Sequence, residues 1–163
     1  MKTRILFVCL GNICRSPAAE EIFRTAIARE ALTDRIETDS AGTYSGHVGD
    51  LPDPRMRRAA ARRGYNLTHR ARPLREADFE RFDRIVVMDD NNYETVHRFV
   101  LVRLEDADAV SAAMHDRGIS LRQFDRQLIR ISVAPEETLN RVLDLLEDAC
   151  EGLLEEIKNP SRP

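Results

Sequence analysis

Cys9 and Arg15 stand six positions apart in the segment Cys9-Leu10-Gly11-Asn12-Ile13-Cys14-Arg15-Ser16, and together they could do chemistry on an oxyanion. A branched apolar run, Thr3 to Val8, precedes them and reads as a buried strand. Ser16-Pro17 follows and reads as a helix start, with serine as cap and proline in the first turn. A loop in that setting can turn its backbone N–H groups onto an anion, and the helix adds the positive end of its dipole. Gly11 permits backbone geometry that a side chain would forbid. Arg15 offers a planar fork that matches two phosphate oxygens. The same surroundings suit Cys9 as a thiolate. A thiolate held against a bound phosphate can attack phosphorus in line, giving a phosphocysteine that water then hydrolyses. The loop donors would stabilise the charge spread over the transferring group. A lone cysteine closing a strand is ordinarily core filling, but here Gly, Arg and a helix start surround it.

The other two cysteines have separate readings. Cys150 lies on the apolar face of a long helix, where packing is its expected role. Cys14 is five residues from Cys9. It could form a reversible disulfide that guards the nucleophile from overoxidation, or it could fill space beneath the loop. Three cysteines without framework spacing do not make a secreted disulfide scaffold, so the cytoplasm is the expected compartment. Ile5 to Leu10 is too short for the apolar region of a signal peptide, and no stretch is long enough to span a membrane. A net charge of only -3 gives no sign of nucleic acid as a partner. The length suggests a single domain over residues 1–158, with a tail at 159–163 that frays.

The elements that must position the loop follow from periodicity. A first helix runs to Arg29, with Ala18, Ile22, Phe23, Ala26 and Ile27 at helical spacing. A second strand spans Arg35 to Ala41. A helix runs from Pro54 to Arg63 and is closed by Gly64. Glu76 to Phe82 forms a short helix, Arg84 to Met88 a third buried strand, and a helix then runs through Phe99. Ala109 to Met114 and Leu128 to Val133 compete for the last strand. Glu136 to Lys158 is an amphipathic helix, with Leu143, Leu146, Cys150 and Leu154 on its buried face. Strands alternating with helices imply a parallel sheet covered on both faces. Ligands of such sheets sit at the carboxyl ends of strands, which is where Cys9 falls.

With these residues in view, the chain resembles the low-molecular-weight protein tyrosine phosphatases. CLGNICRSP (9–17) is that family's signature loop, placed right after the first strand. DSAGT (39–43), HVG (47–49), PDPR (52–55), THRAR (68–72), DFERFD (78–83) and VVMDDNN (86–92) fall in family order, and VLDLLEDACEGLLEEI is similar to its closing helix. The likeness covers roughly residues 3–98 and 139–157. It implies a four-stranded parallel sheet with helices on both faces, a flavodoxin-like three-layer α/β sandwich. It implies no metal and no organic cofactor. The implied substrate is a phosphotyrosine protein or a small aryl phosphate, with phosphate and vanadate as inhibitors. Carried over by position, Cys9 is the nucleophile and Arg15 the phosphate-binding arginine. Leu10, Gly11, Asn12, Ile13 and Cys14 complete the phosphate loop, and Ser16 hydrogen-bonds the thiolate. Asn12, Ser40 and His69 form the network that holds the loop in shape. Without the resemblance, Ser40 is a turn residue and His69 a surface or core histidine.

One departure bears on the chemistry. The family's general acid sits in an Asp-Pro-Tyr-Tyr segment before the last helix, and the aromatic pair helps wall the substrate ring. The best positional match here is Ser132-Val133-Ala134-Pro135-Glu136-Glu137, with Ala134 where the acid belongs. Alanine has no proton to give, and a positioned acid is worth about a hundred- to ten-thousand-fold in rate. Nearby carboxylates that could take over are Glu136, Glu137, Asp125 and Asp116, each of which otherwise reads as solvated surface charge. Residues 115–134 resemble the family poorly while both flanks resemble it well. A compensated frameshift would leave that pattern, and it requires another frame of the gene to encode Asp-Pro-Tyr-Tyr here. The first expectation is therefore an active tyrosine phosphatase. The alternative is a phosphate-binding relative with weak or no turnover. A third is an arsenate reductase, which would need further cysteines to resolve its intermediate.

Overall fold

The computed structural model describes residues 1–104, 127–134 and 137–160. Four strands form one parallel sheet in the order β2-β1-β3-β4: β1 (Thr3–Cys9), β2 (Ile36–Gly42), β3 (Arg84–Val87) and β4 (Leu128–Arg130). The helices are α1 (Arg15–Arg29), α2 (Pro54–Ala61), α3 (Glu76–Arg81), α4 (Asp90–Leu104) and α5 (Leu139–Lys158).

The β1 sequence alternates between two apolar cores, as the period of a strand requires. Ile5, Phe7 and Cys9 face a core with α1, α2 and α5, where the Phe7 and Phe23 rings meet edge-on at 5.7 Å. Leu6 and Val8 face a second core that contains Phe82, Ile85 and Val96, with Phe79 and Tyr93 packed against it. Helices thus cover both faces, as expected. The central position of β1 explains its unbroken apolar run, since neither face meets water.

Of the two candidate last strands, 128–130 pairs with β3, and the pairing continues through Ile131 and Val133, whose N–H groups donate to the carbonyls of Val87 and Met88. Residues 109–114 lie outside the described residues. So do Asp116, Asp125 and Glu136 among the substitute acids, and 161–163 of the tail.

Several boundaries differ from expectation for local reasons. Ser16 does not cap α1. Cys14 occupies the cap position without a side-chain bond, and the Ser16 hydroxyl is spent on Cys9 instead. α2 ends at Ala61, and the chain turns through Gly64 at φ 87°. α4 runs past Phe99 to Leu104. α5 begins at Leu139 because Thr138 caps it, its hydroxyl accepting from the Arg141 N–H at 3.3 Å.

Leu146, on the buried face of α5, is fully enclosed by the larger core. Leu146→Ala should cost about 2–5 kcal/mol of stability, measured by urea denaturation, because the lost contacts leave a cavity. A change below about 0.5 kcal/mol would mean that α5 is not seated as described.

Candidate active site

The order β2-β1-β3-β4 makes the chain leave β1 toward one side and β3 toward the other, so a crevice opens at their carboxyl ends. Four groups converge there: Cys9 at the end of β1, Ser40 near the end of β2, Asp89 just past β3, and Val133 past β4.

The loop from Cys9 to Arg15 is shaped by Asn12. Its φ is 55°, the left-handed region that asparagine tolerates better than most residues. Its side chain is buried and fully used. Nδ2 donates to Ser16 Oγ and to Ser40 Oγ, each at 2.9 Å. Oδ1 accepts from the Arg72 backbone N–H at 2.9 Å and faces His69 Nε2 at 3.1 Å. Gly42 allows close approach from below. A Cβ there would fall 2.7 Å from the Leu10 carbonyl oxygen, which instead accepts from the Tyr44 N–H at 2.8 Å.

These bonds direct protons. Ser16 Oγ accepts from Asn12, so its single proton is left for Cys9 Sγ at 3.0 Å, the alternative being the Ala41 carbonyl at 3.4 Å. Ser40 Oγ likewise accepts from Asn12 and donates to Glu20 Oε2 at 2.7 Å. The same Glu20 oxygen lies 3.0 Å from His69 Nδ1, so each ring nitrogen faces an oxygen acceptor. Asp39 takes the Arg72 guanidinium at 2.8 Å, and Asp78 takes it at 2.9 Å. Burial opposes the Arg72 charge, but its bonds to Asp78 and Asp39 more than offset that and raise its pKa. Glu20, Asp39 and His69 present donor atoms within 4.8 Å of one another, a spacing a metal could use. Each is already engaged by Ser40, Arg72 or Asn12, and the Arg72 charge beside them works against a cation.

Arg15 is held from outside the loop. Nη1 donates to Asp89 Oδ2 at 2.5 Å and to the Val133 carbonyl at 2.9 Å. The other Asp89 oxygen is fixed by the Asn92 N–H at 2.7 Å. Both of these bonds are on Nη1, and Nε and Nη2 have no hydrogen-bond partner among the described residues, an arrangement that could meet an oxyanion in fork geometry.

The remaining expected residues are placed as follows. Leu10 is exposed at the mouth, and Gly11 lies under the His47 ring. The Ile13 carbonyl accepts from the Asp53 N–H at 2.7 Å, which ties the loop to the start of α2. Cys14 is half-buried, and its pKa is pushed up to about 11, chiefly by burial and then by the negative charge of Cys9. Cys150 is buried against the Ala19 carbonyl at 3.6 Å, and burial raises its pKa further. Ala134 follows Val133 directly, so the position expected for the acid is beside the site and carries a methyl group. Glu137 is exposed, and its N–H reaches the Ala134 carbonyl at 3.3 Å. Sequence reasoning missed Asp89, Glu20, Asp39, Arg72 and the Val133 carbonyl. The position of Asp89 at a strand's carboxyl end, level with Cys9, was the available signal.

The fold and this loop together put the chain among the cysteine-dependent phosphatases. It belongs to the low molecular weight phosphotyrosine protein phosphatase family, whose model matches residues 4–162. The Synechocystis protein slr0328, assigned by name to the low molecular weight protein-tyrosine-phosphatases, is 40% identical over 156 residues, covering 93% of this chain and 94% of that one. The Schizosaccharomyces pombe low molecular weight phosphotyrosine protein phosphatase is 46% identical, but over 96 residues, 58% of this chain and 62% of its own. Among solved structures, a protein tyrosine phosphatase from Entamoeba histolytica with Hepes in its active site superposes with a TM-score of 0.77 at 32% identity, covering 99% of this chain and all of that one. YfkJ from Bacillus subtilis gives 0.79 at 28% identity, over 99% and 98% of the two chains.

Two outcomes follow from this geometry. Asn12→Ala should lower stability by about 2–4 kcal/mol in urea denaturation, since it strains a left-handed position and abandons buried partners; a loss under 0.5 kcal/mol would refute that role. Raising a thiol from 9.0 to about 11 leaves about a hundredth of the thiolate at neutral pH. Burial is the larger cause and remains in Cys9→Ser protein, so Cys14 there should still react with iodoacetamide more slowly at pH 7.5 than free cysteine, and faster as pH rises. Rapid alkylation at neutral pH would contradict the burial.

Proposed function

We propose that this protein hydrolyses phosphotyrosine in proteins, and small aryl phosphates, through a phosphocysteine on Cys9. The observation that carries this is the pairing across one loop of Cys9 Sγ, facing the Ser16 hydroxyl, with Arg15, whose free edge is aimed by Asp89 and Val133. Arg15 and the loop N–H groups hold the phosphate. Sulfur attacks phosphorus, the ester O–P bond breaks, and the phenolate leaves with the bonding pair. Water then attacks phosphorus, the S–P bond breaks, and phosphate departs. Phosphate and vanadate would compete for the same loop. Three free thiols suit a reducing compartment such as the cytoplasm, and no helix among the described residues is long and apolar enough to cross a membrane.

An aryl substrate is favoured by the mouth. Apart from Met1, the large hydrophobic side chains exposed among the described residues are Leu10, Tyr44, Val48 and Leu51, all in the loops after β1 and β2. Tyr44 occupies the space above Gly46, where any Cβ would meet its ring at 2.2 Å. A collar of this kind offers a ring surface that the absent aromatic pair would otherwise supply.

Ala134 shapes the rate. Without a proton donor there, the leaving oxygen departs as an anion, which favours leaving groups that tolerate the charge. The same alanine supports a second reading, a relative that captures phosphate but turns over weakly. An arsenate reductase is disfavoured because Cys150 is buried and Cys14 is held as a thiol, leaving no ready resolving thiolate among the described cysteines.

Turnover of para-nitrophenyl phosphate should be clear in the wild type and lost in Cys9→Ser. Phenyl phosphate, a much poorer leaving group, should be slower by about a hundredfold or more. Equal rates on the two esters would reveal an acid that replaces the missing aspartate. Vanadate binding without any turnover would establish the capture-only reading.

A further inference from the structure

The described surface is unevenly charged. Residues 54–75 hold eight arginines and no aspartate or glutamate, in a chain whose net charge is -3. A merely solvated helix face would interleave both signs. Some of these arginines are accounted for. Arg55 pairs with Asp53 at 2.9 Å, Arg63 with Asp144 at 2.8 Å, and Arg72 with Asp39 and Asp78. Arg57, Arg58 and Arg62 are exposed and have no carboxylate partner among the described residues. Arg57 and Arg58 line a groove of about 330 Å³ between α2 and Tyr65-Asn66-Leu67, and no acidic side chain lines it.

The groove begins one residue beyond a contact with the phosphate loop. The Asp53 N–H donates to the Ile13 carbonyl of the phosphate loop at 2.7 Å, and the next residue, Pro54, is both the first of α2 and a wall of the groove. α2 is eight residues long, roughly 12 Å at 1.5 Å per residue. An extended chain covers that length in about four residues.

We propose that the α2 groove binds an acidic segment of the substrate protein, a few residues from the phosphotyrosine whose phosphate lies at Cys9. The inference rests on the phosphatase reading and adds a substrate class to it. The chemistry of recognition is guanidinium to carboxylate, for which arginine is better shaped than lysine. Being exposed, the pairs act mainly by steering and by selecting among partners, so their effect fades as salt screens them.

The test compares para-nitrophenyl phosphate, a phosphotyrosine peptide flanked by Glu and Asp, and the same peptide flanked by Lys. Each is assayed on the wild type and on the Arg57→Glu/Arg58→Glu/Arg62→Glu variant. The wild type should favour the acidic peptide by about tenfold in kcat/KM at low salt, and sodium chloride should erode that preference. The variant should lose or invert it while keeping turnover of para-nitrophenyl phosphate within about twofold, a substrate too small to reach the groove. If the reversed charges impair folding, Arg57→Gln/Arg58→Gln/Arg62→Gln serves, with loss of the preference expected. An active wild type that does not distinguish the peptides, or variants that keep the preference, would overturn this inference alone. A wild type inert on para-nitrophenyl phosphate would overturn the phosphatase reading and this inference with it.

Discussion

Asn12 sits in a backbone conformation that side chains disfavour, and its amide makes four contacts there. The left-handed turn lets the loop curl back, and the four partners come from α1, β2 and the 68–72 segment. Each partner is then held in turn, Ser16 against Cys9 and Ser40 donating to Glu20. The buried hydrogen bonds hold the disfavoured backbone in place and offset its cost.

A second constraint comes from the sheet. A guanidinium can grip two oxygens only if its plane is held, and Arg15 cannot hold its own. The plane is set by a carboxylate past β3 and a carbonyl past β4, elements that a parallel sheet brings to the same edge as Cys9. The chain supplies the clamp from positions 74 and 118 residues downstream of the arginine. The site is therefore a property of the assembled sheet, although Cys9 and Arg15 lie within one loop.

The surroundings of that loop differ in chemistry from side to side. Exposed apolar side chains stand in the loops after β1 and β2, Glu20, Asp39, His69 and Arg72 form a polar network around Asn12 and Ser40, and the arginine-rich helix follows the Asp53 contact to Ile13. Ala134 places a methyl group where a carboxyl was expected, so that position has no proton to give.

The sequence by itself determined the parts governed by local rules. The apolar run of β1, the Cys-to-Arg spacing, the proline at the head of α2 and the amphipathic α5 follow from strand and helix periodes and from backbone preferences, which act between near neighbours. The sheet order, and the pairing of 128–130 with β3, needed long-range pairing that periodicity does not encode. Local rules made Ser16 a cap, whereas the family resemblance set it against the thiolate; the folded loop puts its hydroxyl 3.0 Å from Cys9 Sγ and leaves the cap position to Cys14. Asp89 had only its place at a strand's carboxyl end as a signal and the Val133 carbonyl had none, because a carboxylate and a backbone oxygen acquire a role only when the sheet sets them beside Arg15. Tertiary structure decided these because hydrogen-bond partners are chosen by distance in space, and short-range sequence patterns hold no record of it.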